Sequence, residues 1–248
     1  MISIVVPVYK SAATLQTLHE RIGLMAANSD NAYEIVYVND ASPDHSLSIL
    51  RALTHTIPFH IVDLKKNVGQ SAALIAGMAF AQGEIIATMD ADLQDEPENL
   101  PRLVRALGPG TDVVFAKRQG HYESPGRLAT SFFFKGMVHL ISKRRIPINA
   151  GLFMLVRKDA ARQFLGYLNQ SPYLIGLISK SGLRCTGIDV ERPKNERRET
   201  SYTFRKRVRV AISFFRTIRL SHAKTDESAR EWLNSHLLAD HSYITGKC

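Results

Sequence analysis

The sequence predicts an α/β fold: a mostly parallel, twisted sheet with helices on both faces. Two observations carry this. Short, β-branched apolar runs alternate with helical patterns over residues 1–118. Each apolar run also ends in a polar cluster, as expected where ligands bind beyond the carboxyl ends of parallel strands. These clusters are Tyr9-Lys10, Asn39-Asp40, Lys65 to Asn67, Asp90 to Asp92 and Lys117-Arg118.

Residues 3–8 are apolar and β-branched, the first strand, and a helical pattern follows over 12–27. Residues 34–39 form the second strand, followed by the turn Asp40-Ala41-Ser42-Pro43-Asp44 and a helix to about residue 54. The third strand is 60–64, and a loop over 65–69 leads into an alanine-rich helix ending near Ala81. Residues 85–89 make the fourth strand, 96–107 a helix and 112–116 a fifth strand. The second half is less regular. A polar loop spans 119–126, and a helix carries Phe132, Phe133, Met137 and Leu140. Strands are expected over 153–156 and 185–190, a charged loop over 193–200, a basic amphipathic helix over 204–220 and a short helical pattern near 232–238. The expected organisation is one domain over 1–220, with its first half at 1–118 and its second at 119–220, then a polar tail over 221–248.

A chain of 248 residues with 45% hydrophobic content can bury one sizeable core. No run of about 18 apolar residues occurs, so no bilayer-spanning helix is expected. The first residues enter a strand directly, without the pattern of a secretory leader. The two cysteines, Cys185 and Cys248, are far apart, which suits a reducing cytoplasmic compartment. Net charge is +9, and residues 192–219 supply +8 of it through ten Lys/Arg against Glu196 and Glu199. So local a basicity argues for a local anionic partner. Few aromatics stand among the arginines and no nucleic-acid module is recognisable, so nucleic acid is not the expected partner.

Asp90-Ala91-Asp92-Leu93-Gln94-Asp95 follows the fourth strand. Two carboxylates and an amide oxygen at this spacing suit Mg²⁺ or Mn²⁺, ions commonly shared with substrate phosphates. A strand end capped by solvated acids is the plainer alternative.

Taken in order, four segments resemble the inverting glycosyltransferases of family 2, which have the GT-A fold. They are Val5-Val6-Pro7-Val8-Tyr9, Val38-Asn39-Asp40-Ala41-Ser42-Pro43-Asp44, Lys66-Asn67-Val68-Gly69-Gln70-Ser71-Ala72-Ala73 and Met89 to Glu98. The likeness extends over about residues 2–220 and favours the branch of dolichol-phosphate mannose synthase and bacterial polyprenyl-phosphate glycosyltransferases. It implies a Rossmann-like sheet and a nucleotide-sugar site containing Pro7, Tyr9, Asp40, Lys66, Gly69, Asp90, Ala91 and Asp92. It implies a cation on Asp90, Asp92 and Gln94 that neutralises the leaving diphosphate. Tyr9 suits a nucleobase face or ordinary loop packing. Asp40 suits a base N–H or ribose hydroxyl, and its turn also suits a helix cap through Ser42 or Asp44. Gly69 suits backbone N–H groups facing phosphate, or a tight turn that needs glycine.

Two positions depart from the family pattern. Many relatives carry Asp where this chain has Asn39. The branch often carries Gly-Asp-Phe near residue 151, its aspartate a candidate base, whereas this chain reads Asn149-Ala150-Gly151-Leu152-Phe153-Met154. A phosphate acceptor needs no base, since its second pKa is about 6. A hydroxyl acceptor would need another acid such as Asp95, and the third possibility is lost activity. Downstream, Arg192, Arg198 and Ser201 fall in an Arg-rich segment like the family's late loop, with Arg118 and Arg127 as further candidates to clamp a diphosphate or acceptor phosphate. Asp92, Asp95 and Arg198 are the residues on which the chemistry is expected to rest.

The helix over 204–220 sets Phe204, Val208, Ala211, Phe215 and Ile218 on one expected face, with Arg205, Lys206, Arg209 and Arg216 roughly opposite. It suits a helix packed on the core, or one lying on an anionic bilayer. The expected function is a cytoplasmic, metal-dependent inverting hexosyltransferase, peripheral at the inner membrane face. Its donor is a nucleotide-diphosphate sugar and its acceptor a polyprenyl phosphate or a growing glycan. A nucleotidyltransferase is the second enzyme reading, disfavoured because Pro7-Val8-Tyr9-Lys10-Ser11 is no phosphate loop. An inactive, membrane-bound nucleotide-sugar-binding subunit is the third.

Overall fold

The computed structural model describes residues 1–54, 56–118, 136, 138–142, 146–147, 149–190, 204–220 and 226–238. Among these residues, seven strands form one sheet in the order β3-β2-β1-β4-β6-β5-β7. They are β1 (Ile2–Val8), β2 (Tyr33–Asn39), β3 (Phe59–Asp63), β4 (Ile85–Thr88), β5 (Val113–Arg118), β6 (Ala150–Arg157) and β7 (Cys185–Val190). All run parallel except β6, which lies antiparallel between β4 and β5. The exits of the six parallel strands therefore share one edge, and β6 enters the sheet there.

The helices are α1 (Leu15–Ala27), α2 (Ser46–Ala52), α3 (Gln70–Phe80), α4 (Leu100–Ala106), α5 (Lys158–Leu165), α6 (Leu174–Ser181), α7 (Phe204–Ile218) and α8 (Asp226–His236). The strands are apolar on both faces because both are covered. Along β2, Tyr33, Ile35 and Tyr37 enter the core layer under α1 and α4, while Val36 and Val38 enter the layer under α3. Gly77 sets the height of α3 over the sheet. A Cβ there would stand 2.4 Å from Val5 Cγ1 and 2.7 Å from Val38 Cγ2.

Pro7 lies in a central strand without breaking it. The β1–β4 pairing stops at Val5–Thr88, so Pro7, which has no N–H to donate, sits beyond that ladder.

Two expectations are corrected and one is extended. Within the expected polar tail, residues 226–238 pack on the domain: Trp232 and Leu237 are buried in the α3-side core, and Leu237 bridges Leu64 beside β3. The packed unit thus runs past residue 220. The fifth strand is longer than expected and includes Lys117 and Arg118, because β7 pairs with it to the end. On α7 the packed face is not the expected stripe. Phe214 and Thr217 are buried, while Val208 and Phe215 are 40% and 36% exposed. Gly176 of α6 permits that packing, with the Thr217 Cβ only 3.0 Å from where its own Cβ would be. The side chains of Phe204, Arg205 and Lys206 lie outside the described residues, as do Phe132, Phe133 and Met137.

Candidate active site

Four neighbouring strands leave the sheet through backbone conformations that side chains resist. Lys10 follows β1 with φ 55°, Ala41 follows β2 with φ 49°, Gly69 follows β3 with φ 87° and Leu93 follows β4 with φ 60°. Among the described non-glycine residues only Ser171 has a positive φ elsewhere. Each such residue costs of order 1–3 kcal/mol, and they persist where surrounding contacts over-determine them.

Those contacts are visible. The β1 exit is held by the β2 turn: the N–H of Lys10 donates to Ser42 Oγ (2.7 Å), that of Ser11 to Ser46 Oγ (3.1 Å) and that of Ala12 to Asp44 Oδ2 (3.2 Å). Asp44 Oδ1 also accepts from the Ser42 and Ser46 hydroxyls and from the Ser46 N–H. Burial pushes the Asp44 carboxyl up, but these hydrogen bonds outweigh it and hold the group well below the usual carboxylate range. Asp44 therefore takes the Ser46 N–H at the start of α2, whose N-cap position is His45, and fastens a second loop as well. Tyr9, 45% exposed, stands on the held β1 exit with the Lys10 ammonium 5.5 Å from its ring centre.

Asp40 is a hub, only 3% exposed. Its carboxylate accepts from the N–H of Val68 (2.6 Å) and of Gly69 (2.9 Å), and its own carbonyl accepts from Asn67 Nδ2 (3.2 Å). Burial raises its pKa, and the two N–H donors offset part of that rise. The Gly69 N–H, expected to face a phosphate, is spent on Asp40 instead; the Asp40 carboxylate keeps acceptor capacity beyond these two donors, and both residues shape the β3–α3 loop. Exposed Lys66 stands within that loop. Gly69 also meets the tight-turn alternative: at φ 87° and ψ 155° only glycine is comfortable.

Asn39 donates to Asp63 Oδ1 (2.7 Å) and accepts from the Ser42 N–H (3.2 Å). A carboxylate at 39 would confront buried Asp63, a physical reason for the amide here.

At the β4 exit, Asp90 Oδ1 accepts from Gln70 Nε2 (2.5 Å), joining the fourth motif to the third. Sequence reading did not single out Gln70 as a site residue; its place directly after Gly69 at the start of α3 is the available signal. Asp92 Oδ1 accepts from the Gln94 N–H (3.0 Å), closing the tight turn around Leu93. Ala91 is buried and its carbonyl accepts from Thr14 Oγ1, so it faces the core rather than an open donor site. No group of three His, Cys, Asp or Glu residues gathers among the described residues. The available donors are two half-buried carboxylates and the Gln94 amide, hard oxygens that fit Mg²⁺ or Mn²⁺ with room left for phosphate oxygens. Among the described residues no Lys, Arg or His forms an ion pair with Asp92.

Leu152 lies on β6. Continuing the Thr88–Met154 register by two residues sets it level with Asp90, and its carbonyl accepts from Thr88 Oγ1 (2.5 Å). No proton acceptor stands in that side chain. Asp95 is buried, 3% exposed. Lys117 pairs with Asp189 at 3.2 Å. Arg118 ends β5, its side chain outside the described residues. Arg127, Arg192, Arg198 and Ser201 also lie outside them.

A mostly parallel sheet with one inserted antiparallel strand and metal-suited acids at the β4 exit defines a GT-A fold. Solved structures agree on the fold. A mannosyltransferase from Pyrobaculum calidifontis, in complex with GDP-Man and Mn²⁺, superposes with a TM-score of 0.63 at 19% identity, over 94% of this chain and 68% of that one. Glucosyl-3-phosphoglycerate synthase from Mycobacterium tuberculosis, with Mn²⁺, UDP and phosphoglyceric acid, gives 0.61 at 15% identity, over 90% and 80%. The profile of glycosyl transferase family 2 matches residues 3–165, and the chain belongs to that family. Among its relatives, an uncharacterised glycosyltransferase, YkcC of Bacillus subtilis (strain 168), is 31% identical over 85% of this chain and 66% of its own length. An undecaprenyl-phosphate 4-deoxy-4-formamido-L-arabinose transferase of Edwardsiella ictaluri (strain 93-146) is 30% identical over 81% and 62%. The chain thus spans somewhat under two thirds of the length of these curated relatives.

Proposed function

We propose that this chain is a metal-dependent, inverting glycosyltransferase that moves a hexose from a nucleotide-diphosphate sugar to a polyprenyl phosphate at the inner face of a membrane. The observation that carries the reading is the hydrogen-bonded run Asp40–Val68/Gly69 and Gln70–Asp90, which gathers motifs from three strand exits at one edge. The named activity of the Edwardsiella relative supports the acceptor.

The reaction is one in-line displacement. An acceptor phosphate oxygen attacks the anomeric carbon, the bond from that carbon to the diphosphate oxygen breaks, and the nucleoside diphosphate leaves with the electron pair. Tyr9 offers its ring to the nucleobase and Lys66 its ammonium to the diphosphate. A divalent ion held by Asp90, Asp92 and Gln94 would neutralise charge on the leaving group. Arg118, Arg127, Arg192, Arg198 and Ser201 belong to this proposal on sequence grounds, as holders of acceptor or donor phosphate. Leu152 fits a phosphate acceptor, which is already ionised near neutral pH.

Contact with an anionic bilayer is supported by α7. Its solvent face carries Val208, Ile212 and Phe215 beside Arg209 and Arg216, with exposed Arg219 just past its end. A groove of about 520 Å³ is lined there by Ile212, Phe215, Arg216, Arg219 and Leu220. Among the described residues no helix is long and apolar enough to cross a membrane.

Titration with GDP and UDP, with and without Mn²⁺, tests the donor site. Mn²⁺ should tighten nucleotide binding at least about tenfold, and Asp92→Ala should remove that gain. Equal binding with and without Mn²⁺ in the wild type would remove metal dependence from the account. A second reading, a membrane-bound nucleotide-sugar-binding subunit without turnover, is favoured by Leu152 and the basic helix and predicts nucleotide binding with no transfer.

A further inference from the structure

Among the described residues, the segment 226–238 meets the candidate site at the exit of β3. Leu237 pairs with Leu64 in an antiparallel bridge, and the Leu238 N–H donates to the Asp63 carbonyl (3.0 Å). The Lys65 N–H donates to the His236 carbonyl (2.8 Å), and Lys65 Nζ donates to the Ser235 carbonyl (3.2 Å). The segment is itself anchored. Trp232 and Leu237 are buried in the core layer that contains Leu64, and the Trp232 and His236 rings stack 4.1 Å apart at 8°.

The β3–α3 loop is therefore held at both ends. Asp40 grips Asn67, Val68 and Gly69, and the C-terminal segment grips Lys65 from some 170 residues away. Exposed Lys66 is suspended between the two anchors. A loop ordered beforehand does not lose its conformational freedom again when a ligand arrives, and that saving appears as affinity.

We propose that residues 226–238 are a clamp that pre-orders the Lys65–Gly69 loop for the nucleoside diphosphate, with Leu237 and Leu238 as positioning residues. The proposal rests on the donor-site reading above. Covering the open edge of β3 against other chains is the rival role, and it predicts no effect on nucleotide affinity.

Trp232 is the only tryptophan in the chain, so its fluorescence reports the clamp directly. The test uses the full chain with GDP and UDP in the presence of Mn²⁺. Wild type should change its tryptophan emission on binding nucleotide. Leu237→Asp places a carboxylate in the buried seat; its emission should shift to the red without nucleotide, and its affinity should fall about tenfold. Leu238→Pro, at an exposed position, removes the N–H to Asp63 and fixes φ there, leaves the buried seat of Leu237 filled, and should give a smaller loss in a folded protein. Leu237→Met should restore wild-type affinity. A red-shifted variant that binds nucleotide as tightly as wild type would overturn the clamp and leave the segment an edge cover. Wild type that binds neither nucleotide would overturn the donor-site reading, and the clamp with it.

Discussion

Gly69 reconciles two demands that no other residue meets. Its φ of 87° with ψ 155° is open to glycine, and its N–H is aimed at Asp40. Nothing lies within 4 Å of a Cβ built there, so Gly69→Ala would suffer no clash and would express the backbone cost alone. We expect a loss of about 1–3 kcal/mol by chemical denaturation, with an unchanged m-value. Asp44 gives the clearest dependence on pH. Its folded pKa is depressed, so its stabilisation is present above the ordinary value of 3.8 and is lost as pH falls below it. Asp44→Asn should lower stability by about 1–2 kcal/mol at neutral pH, and thermal melts should show the gap to wild type closing below that value. These residues also mark where sequence reading stops. That Asp40, Gly69 and Asp44 matter was legible from motif order and turn chemistry. That Asp40 and Gly69 satisfy each other was not, because a hydrogen bond between residues 29 apart depends on how β2 and β3 align.

At the scale of elements, α1 to α4 and β1 to β4 followed from hydrophobic period and turn residues. The order and direction of β6 did not. Its apolar run reads the same in either direction, and only packing inserts it antiparallel between β4 and β5. The face of α7 was misread for a similar reason. The helix has two apolar stripes, and the one that packs is fixed by Gly176 and by the Tyr173 N–H donating to Thr217 Oγ1 (2.9 Å). The stripe left over contains Ile212, 61% exposed, among arginines. An apolar stripe flanked by cations is the pattern of an interfacial helix. Sedimentation with vesicles should therefore show binding when phosphatidylglycerol is present, weakened by salt. The double variant Ile212→Glu, Phe215→Glu should lose it while still binding nucleotide. Equal binding to neutral vesicles would remove the role given to the arginines.

For the whole molecule, one sheet edge organises everything. Six strands exit there, four of them through positive φ, and the exits are tied together by Ser42, Asp44, Asp40 and Gln70 rather than by the core. A rigid two-sided sheet supplies the frame, and the proposed chemistry falls on the loops at its edge. A short basic segment completes the picture: nearly all the excess charge falls in residues 192–219, which include the exposed face of α7. The proposed reaction is transfer to a lipid phosphate. Its most direct measurement is the incorporation of labelled sugar from a panel of nucleotide-diphosphate sugars into undecaprenyl phosphate, with Mn²⁺ or with a chelator. Wild type and Leu152→Asp are to be compared with Asp92→Ala. We expect one donor to be used, activity to vanish with the chelator, and Asp92→Ala to fall by about 10²-fold or more. Leu152→Asp should not accelerate transfer, since a phosphate needs no base. Nucleotide binding without transfer from any donor would contradict the account, and a Leu152→Asp variant that gained activity would show that the chain lacks a base it needs.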